Sequence, residues 1–327
     1  MPDAGVTEWM YRCLFRIRLF EERIKQLAAD KAVPGYLHTY IGSEAIAVGV
    51  MAALRQDDWI TSTYRSHGHA IAKNVDLFSI AAEIYGRVPG VCKGRGGSMH
   101  ISDFDKGMLG AFGIVAAGPP VALGAAVQER RRGSDRIAAS FFGDGAVHNG
   151  VFHEAAGLAT HWNAPLLLVC ENNGYAEATA TDWHLNTENV AQMMGAYAMP
   201  AQTVDGMDMF TVYEAASAAV ARMRAGGGPE LIEFVSYRFS GQFEGDRQDY
   251  QPAEEIAEAS KRDPVLLARQ RAAQMGLDEA ALSQLVAEVQ AEVDDAFTRA
   301  EQAEWPAPEA ALDDVYVSYP KEQIDYA

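Results

Sequence analysis

Two short polar motifs each follow an apolar run in the middle of the sequence. The run RIAASFF leads into Gly-Asp-Gly, centred on Asp144, and the run APLLLVC leads into Glu-Asn-Asn, ending at Asn173. A carboxylate, a carboxamide oxygen and nearby backbone carbonyls suit Mg²⁺, which usually keeps phosphate oxygens as further ligands. Glycines beside the carboxylate let a diphosphate approach the backbone. The two motifs together predict a Mg²⁺ and diphosphate site.

Each candidate residue also has an ordinary structural interpretation. Gly-Asp-Gly alone is typical of a turn, and Tyr64-Arg65 alone is typical of a solvated surface pair. An isolated histidine such as His38 more often makes a structural hydrogen bond than a catalytic one. His67 and His69 are two positions apart, whereas zinc-binding histidines on a helix are four apart. A functional interpretation therefore needs several motifs to agree.

The hydrophobic pattern predicts the elements that carry these motifs. Apolar residues recur every three or four positions from Met10 to Leu27, which predicts a long opening helix over residues 7–29. The same periodicity and the end signals predict three further helices, over 42–55, over 118–132 and around 282–297. Residues 86–97 contain five glycines and are predicted to form a loop.

The centre of the chain predicts a strand, a helix and a second strand, over residues 136–142, 149–162 and 164–170. A right-handed crossover makes the two strands parallel, so Asp144 and Asn173 should emerge at the same edge of the sheet. The positive end of the intervening helix, near Asn149, is expected to favour a bound diphosphate there. The prediction is an α/β fold with a mostly parallel sheet and helices on both faces.

The composition excludes several classes of function. Of 327 residues, 49% are hydrophobic and 22% are charged, and the formal net charge is −18. An acidic chain is poorly suited to bind nucleic acid or an anionic membrane surface. Three cysteines without a CxxC pair argue against a disulfide framework, and the sequence has neither a signal-like start nor a membrane-length apolar stretch. We therefore expect a cytoplasmic protein that spans no membrane.

Several segments, in order along the chain, resemble the alpha subunits of the thiamine-diphosphate-dependent dehydrogenase first component, the 2-oxo acid and acetoin dehydrogenase family. These segments are GYLHTYIGSEAIAVGV, DDWITSTYRSHGHAIAK, CKGRGGSMHISD, GAFGIVAAGPPVALGAA and FFGDGA. The acetoin branch is the most similar, because of TSTYRSHGHAIAK and of FEGD at residues 243–246. The resemblance implies one thiamine-diphosphate-binding domain over residues 1–327, with an acidic helical extension over 253–327.

The resemblance also implies roles for individual residues. It assigns Mg²⁺ to Asp144, Asn173 and the carbonyl of Tyr175, and the proton-donating contact with substrate to His38. His67 is expected to line the pocket. The remaining implied cofactor contacts are Tyr64 and Arg65 to the diphosphate, the backbone of Gly113 and Val115 to the aminopyrimidine ring, and Gly145 and Ala146 of the Gly-Asp-Gly-Ala motif.

The resemblance further implies a beta-subunit partner in an α2β2 heterotetramer that uses thiamine diphosphate. The beta subunit supplies the glutamate that activates the cofactor, and a lipoyl acyltransferase is a further partner. The activity implied is cleavage of a carbon–carbon bond in a 2-oxo acid or acetoin-like 2-hydroxyketone, with transfer of the acyl fragment.

One departure affects the reaction. Gln242 stands where relatives have a histidine that touches both diphosphate and substrate, and His148 or His184 are candidate substitutes. Glutamine offers no proton in the working pH range. Three alternatives therefore stay open: a non-oxidative decarboxylase or carboligase without a lipoyl acceptor, a catalytically silent cofactor-binding subunit, and a Mg²⁺-dependent phosphohydrolase. The last needs a water-activating base beside Asp144, which the sequence does not identify.

Overall fold

A computed structural model describes residues 2–314 of the chain, and a single six-stranded sheet lies at its centre. The strand order is β2-β1-β3-β4-β8-β7, and all five neighbouring pairs are parallel. The strands are β1 (Trp59–Thr63), β2 (Met108–Phe112), β3 (Ala138–Gly143), β4 (Leu166–Asn172), β7 (Ala201–Asp205) and β8 (Glu230–Val235). A separate small hairpin joins β5 (Tyr175–Ala176) to β6 (Thr179–Ala180). The predicted parallel α/β fold is confirmed.

Twelve helices surround the sheet in the described part of the chain. They are α1 (Ala4–Ala29), α2 (Glu44–Ala53), α3 (His67–Ala72), α4 (Leu77–Ile84), α5 (Gly118–Arg132), α6 (Gly150–His161), α7 (Thr181–His184), α8 (Val190–Met193), α9 (Met209–Arg224), α10 (Ala253–Ser260), α11 (Pro264–Gln274) and α12 (Glu279–Gln302). Short 3-10 turns cover Phe104–Lys106, Asp144–His148, Met194–Tyr197 and Pro308–Leu312.

Successive side chains of the central strands point to opposite faces of the sheet, so a hydrophobic core forms on each face. Phe141 packs on the face covered by α1, α2, α9 and α12, whereas its neighbour Phe142 packs on the face covered by α5 and α6. Every residue of β4 is buried, as expected for a central parallel strand with helices on both faces. Two hydrophobic cores therefore hold the carboxyl ends of the strands in a fixed row.

The helices that the sequence predicts are present with small shifts at their ends. Asp3 begins α1 by accepting a hydrogen bond from the backbone of Val6, at 2.8 Å. α5 ends where Gly133 adopts a left-handed conformation, with φ of 67°. Residues 86–97 contain neither helix nor strand, as expected. Among the described residues, no helix is both long and apolar enough to cross a membrane.

The predicted C-terminal extension consists of α10, α11 and α12, followed by a segment that crosses the glycine-rich loop. Buried residues of α12, among them Phe297, join the core that also contains α1. Beyond α12, the backbone carbonyl of Ala303 accepts a hydrogen bond from Arg87 at 2.9 Å, and that of Ala310 accepts one from Arg95 at 2.5 Å. Residues 315–327 of the predicted extension lie outside the described residues.

Candidate active site

A cavity of about 320 Å³ lies at the carboxyl edge of the sheet. Its lining comes from segments that follow β1, β2, β3, β4 and β8. Of the predicted site residues, it includes Tyr64, Arg65, Val115, Asp144, Gly145, Ala146, Asn173, Tyr175 and Gln242. The strand ends therefore bring together residues as distant in the sequence as Tyr64 and Gln242, which are 178 positions apart and hydrogen-bonded to each other.

One side of the cavity, which we call the acidic wall, carries Asp144, Asn173 and Tyr175. Asp144 is 1% exposed, and its Oδ2 accepts hydrogen bonds from Thr181 Oγ1 at 2.7 Å and from His184 Nε2 at 3.0 Å. Asn173 Oδ1 accepts the backbone N–H of Tyr175 at 3.3 Å. A carboxylate, an amide and a backbone carbonyl form an all-oxygen donor set, which fits Mg²⁺ rather than zinc.

The described residues contain no group of three His, Cys, Asp or Glu side chains arranged for a metal ion. A site built from Asp144, Asn173 and the Tyr175 carbonyl would carry charge only at Asp144, because the amide and carbonyl ligands are neutral. Such a site needs negatively charged oxygens from its ligand to complete the coordination of Mg²⁺.

The glycines flanking Asp144 have different roles. A Cβ atom at Gly145 would lie 2.6 Å from the Cβ of Ala176 in the β5–β6 hairpin, so packing requires glycine there. A Cβ at Gly143 would meet nothing within 4 Å, although Gly143 lines the cavity. Gly143 thus lies beside an open space next to the acidic wall.

Another part of the same lining, which we call the basic wall, contains two buried guanidinium groups, and one of them, Arg238, also donates to the Tyr175 carbonyl at 3.3 Å. Arg65 donates to the carbonyls of Thr39 at 2.5 Å and of Gln242 at 2.9 Å. Arg238 donates to the Gln242 side-chain oxygen at 2.9 Å. Within the described residues, neither arginine forms an ion pair with a carboxylate, and burial lowers the pKa of Arg65. Two buried cations with neutral partners favour an anionic ligand in this cavity.

Gln242 connects the members of the basic wall. Its Oε1 accepts from Arg238, and its Nε2 donates to the Tyr64 hydroxyl at 2.9 Å. Asp246 Oδ2, in the FEGD segment, accepts the Gln242 backbone N–H at 2.7 Å and fixes the residue from behind. The position therefore requires a side chain that both accepts and donates a hydrogen bond, which an uncharged amide satisfies.

His38 lies just behind this wall. Its ring packs on the ring of Tyr64 with centroids 4.7 Å apart, and its Nδ1 is buried without a hydrogen-bond partner in the described residues. Burial and the nearby charge of Arg65 lower the pKa of His38 from 6.5 to about 3. The sequence predicts a proton donor suited to neutral pH, but in the free chain the imidazole is neutral, and any proton it gives comes from a neutral N–H.

Three expectations need correction. His67 is fully buried outside the cavity lining, because Glu21 at 3.1 Å and Ser98 Oγ at 2.9 Å hold its two ring nitrogens. Gly113 also lies outside the lining, and a Cβ there would meet the His100 ring at 3.0 Å. The helix end at the cavity belongs to α5, through Gly118, and not to α6.

The sequence analysis missed Arg238, Glu171 and Tyr40, all of which line the cavity. The Tyr40 hydroxyl donates to Glu171, and His69 Nε2 lies 3.1 Å from the same carboxylate. A signal was present, because Glu171 ends an apolar run and Arg238 follows another. Charged residues that follow buried parallel strands fall at the edge where such sheets bind ligands.

The open parallel α/β sheet, with two buried arginines in a cavity at its carboxyl edge, places the chain among α/β proteins that bind an anionic ligand at the ends of their strands. The dehydrogenase E1 component family matches residues 12–309. The chain belongs to this family, whose enzymes depend on thiamine diphosphate, and the resemblance that the sequence predicts is confirmed.

Curated relatives of similar length agree with this membership. The alpha subunit of acetoin:2,6-dichlorophenolindophenol oxidoreductase from Bacillus subtilis is 44% identical over 313 residues, covering 96% of this chain and 94% of the relative. Its counterpart from Cupriavidus necator is 43% identical over 319 residues, covering 97% and 96%. The pyruvate dehydrogenase E1 component subunit alpha from Zymomonas mobilis is 36% identical over 310 residues, covering 94% and 87%.

Proposed function

We propose that this chain is the alpha subunit of a two-subunit enzyme that binds thiamine diphosphate and Mg²⁺. The enzyme cleaves a carbon–carbon bond of a 2-oxo acid or an acetoin-like 2-hydroxyketone and transfers the acyl fragment to an acceptor. The observation that carries the proposal is the pairing of the acidic and basic walls in the lining of one cavity. A magnesium diphosphate presents both a cation and an anion, so it satisfies both walls at once.

Different residues of the chain would bind the metal ion, the diphosphate and the aminopyrimidine ring. Asp144, Asn173 and the Tyr175 carbonyl would hold Mg²⁺, and Tyr64 and Arg65 would hold the diphosphate. The backbone near Val115, beside the positive end of α5, would face the aminopyrimidine ring. Gly113 precedes this backbone and lies outside the lining, where a Cβ atom would come within 3.0 Å of the His100 ring. Bound thiamine diphosphate supplies a carbon nucleophile that attacks a carbonyl carbon.

His38 is the proposed proton donor to substrate. Its side chain lies against Tyr64 of the cavity lining, and its Nδ1 has no hydrogen-bond partner among the described residues. A bound diphosphate would add negative charge near Arg65 and so raise the pKa of His38 from its value of about 3. We therefore propose that cofactor binding adjusts this histidine for proton transfer. Gln242 would orient the ligand without exchanging a proton.

The mouth of the cavity favours a partner subunit. Ile114 and Val115, both in the lining, are 76% and 46% exposed, and Trp183, which precedes the Asp144 partner His184 in α7, is 82% exposed. Exposed large apolar residues beside a polar cavity mark a protein interface. A beta subunit that covers this mouth would complete the site in an α2β2 heterotetramer, and a lipoyl acyltransferase is the proposed acceptor. We further propose that residues 1–327 form one domain and act in the cytoplasm.

Gln242 favours a second candidate, a carboligase or decarboxylase that needs no lipoyl acceptor. The phosphohydrolase alternative lacked a base beside Asp144, and the structure places His184 there, at 3.0 Å. However, His184 uses this nitrogen for Asp144 and its other ring nitrogen lies 3.3 Å from His148. Membership of the E1 family sets the phosphohydrolase aside.

The test compares the purified chain alone with the chain co-expressed with a beta subunit. We expect no turnover of pyruvate or acetoin by the chain alone and turnover by the complex. Trp183→Ala should weaken assembly, measured by sedimentation, whereas Leu277→Ala, at an exposed position between α11 and α12, should not. Full turnover by the chain without a partner would contradict the proposal.

A further inference from the structure

A buried carboxylate outside the cavity organises the glycine-rich loop of residues 86–97. Glu83, on α4, is fully buried, and its two oxygens accept four backbone N–H groups. Oε2 accepts from Cys92 at 2.7 Å and Gly94 at 2.9 Å, and Oε1 accepts from Gly96 at 2.6 Å and Gly97 at 3.0 Å. The described residues place no cation in an ion pair with Glu83, so these amides alone balance its charge.

The glycines let the loop wrap closely around this carboxylate. A Cβ at Gly90 would lie 2.4 Å from Glu83 Oε2, and one at Gly96 would lie 2.6 Å from the carbonyl oxygen of His100. Gly94 has a φ of 76°, which disfavours other residues. The close packing of the loop around the Glu83 carboxylate therefore depends on these glycines.

The loop continues directly into contacts with the segment that carries the basic wall. Ser98, next after the loop, places its Oγ 2.9 Å from His67 Nε2, and its carbonyl accepts from the Ser66 hydroxyl at 3.3 Å. Ser66 and His67 immediately follow Arg65 in the chain. All these residues are buried, so a displacement of Ser98 has no solvent gap to absorb it.

We propose that Glu83 is a positioning residue of the diphosphate site. It fixes residues 92–97, which fix Ser98, which in turn holds Ser66 and His67 and so sets the direction of Arg65. The inference rests on the proposed binding of thiamine diphosphate to Arg65. In this proposal His67 has a structural role, because it connects Ser98 to the segment that follows Arg65. Glu83 itself does not need to contact a ligand.

The test is Glu83→Gln in the alpha–beta complex. Glutamine keeps the shape but turns one acceptor oxygen into an NH2 group that faces backbone N–H groups. The control is Glu230→Gln, which alters another buried carboxylate, at the amino end of β8. We expect the dissociation constant of thiamine diphosphate to rise about tenfold or more in Glu83→Gln, with kcat at saturating cofactor within about twofold of wild type. The control should match wild type.

Hydrogen exchange without cofactor provides the second measurement. Amides of residues 92–97 and of residues 64–68 should both exchange about tenfold faster in Glu83→Gln than in wild type. Faster exchange confined to 92–97, or unchanged cofactor affinity, would overturn the proposal. If Glu83→Gln fails to fold, Ser98→Ala cuts the same chain of contacts one step later and should raise the same dissociation constant; no change there overturns the proposal. Wild type that binds no thiamine diphosphate refutes the proposed function instead.

Discussion

The two walls of the cavity hold their charged groups in different ways. In the basic wall, Arg65 and Arg238 are buried and hydrogen-bonded to carbonyls and to Gln242. In the acidic wall, Asp144 is held by Thr181 and His184 of the four-residue helix α7. A short helix at the surface opens at lower free energy than the core beside the sheet. The basic wall is thus formed in advance, whereas the two hydrogen bonds that hold Asp144 Oδ2 come from a segment that opens more easily.

Removing the acidic wall's charge should have the largest effect. Asp144→Ala deletes the one charged ligand of the proposed Mg²⁺ site, and we expect thiamine diphosphate binding to fall below detection by calorimetry, while circular dichroism shows an intact fold. Asp182→Ala removes an equal, exposed charge from α7 and is the matched control. Unchanged affinity in Asp144→Ala would mean that the acidic wall is not a metal site.

A histidine in the basic wall should have an intermediate effect. Gln242→His must still accept from Arg238 and donate to Tyr64, so the ring should stay neutral and cofactor affinity should change by no more than about tenfold. Because a positioned acid or base supplies about 10²–10⁴-fold in rate, acyl transfer to lipoamide should rise or the products should shift.

The assay for this variant measures lipoamide acylation and products without lipoamide in the alpha–beta complex. Gln248→His, at a glutamine bonded to Phe239 and Gln251 outside the cavity lining, is the control. If wild type already acylates lipoamide as fast as Gln242→His, with the same products, then Gln242 is a neutral difference and the redirected chemistry should be abandoned.

The smallest expected effect is on the pH dependence of the free energy of unfolding, through His38. The pKa of His38 is about 3 in the folded chain and 6.5 in the reference state, so protonation favours the unfolded state. The stabilisation is complete above pH 6.5 and is lost as pH falls towards 3. Between pH 7 and 5, wild type should lose on the order of 2 kcal/mol more than His38→Gln.

Urea unfolding of the ligand-free chain at pH 7, 6 and 5 measures this difference. His161→Gln, at an exposed position of α6, should follow wild type at each pH. Parallel losses in wild type and His38→Gln would show that burial and the charge of Arg65 do not lower the pKa of this ring.

The features that could be predicted best from the sequence are those that depend on residues close together in the chain, such as strand ends and helix ends. Strand–helix–strand periodicity located Asp144 and Asn173 at one edge of the sheet, and the left-handed residue that ends α5 followed from Gly133. The surroundings of His67 depend on Glu21 and Ser98, 46 and 31 positions away, which no local pattern records. Likewise, the low pKa of His38 arises from burial beside Arg65, so it appears only once the chain is folded.

The segment that crosses the glycine-rich loop also imposes an order on biosynthesis. Arg87 binds Ala303 and Arg95 binds Ala310, contacts that span 216 and 215 positions, whereas all eight strands end by Val235. Contacts between distant residues wait for loop closure and form late. A nascent chain therefore completes its sheet before residues 301–314 are translated. Until then, the glycine-rich loop lacks the contacts that Arg87 and Arg95 make with this segment, so the loop gains its outer support only after the sheet is complete.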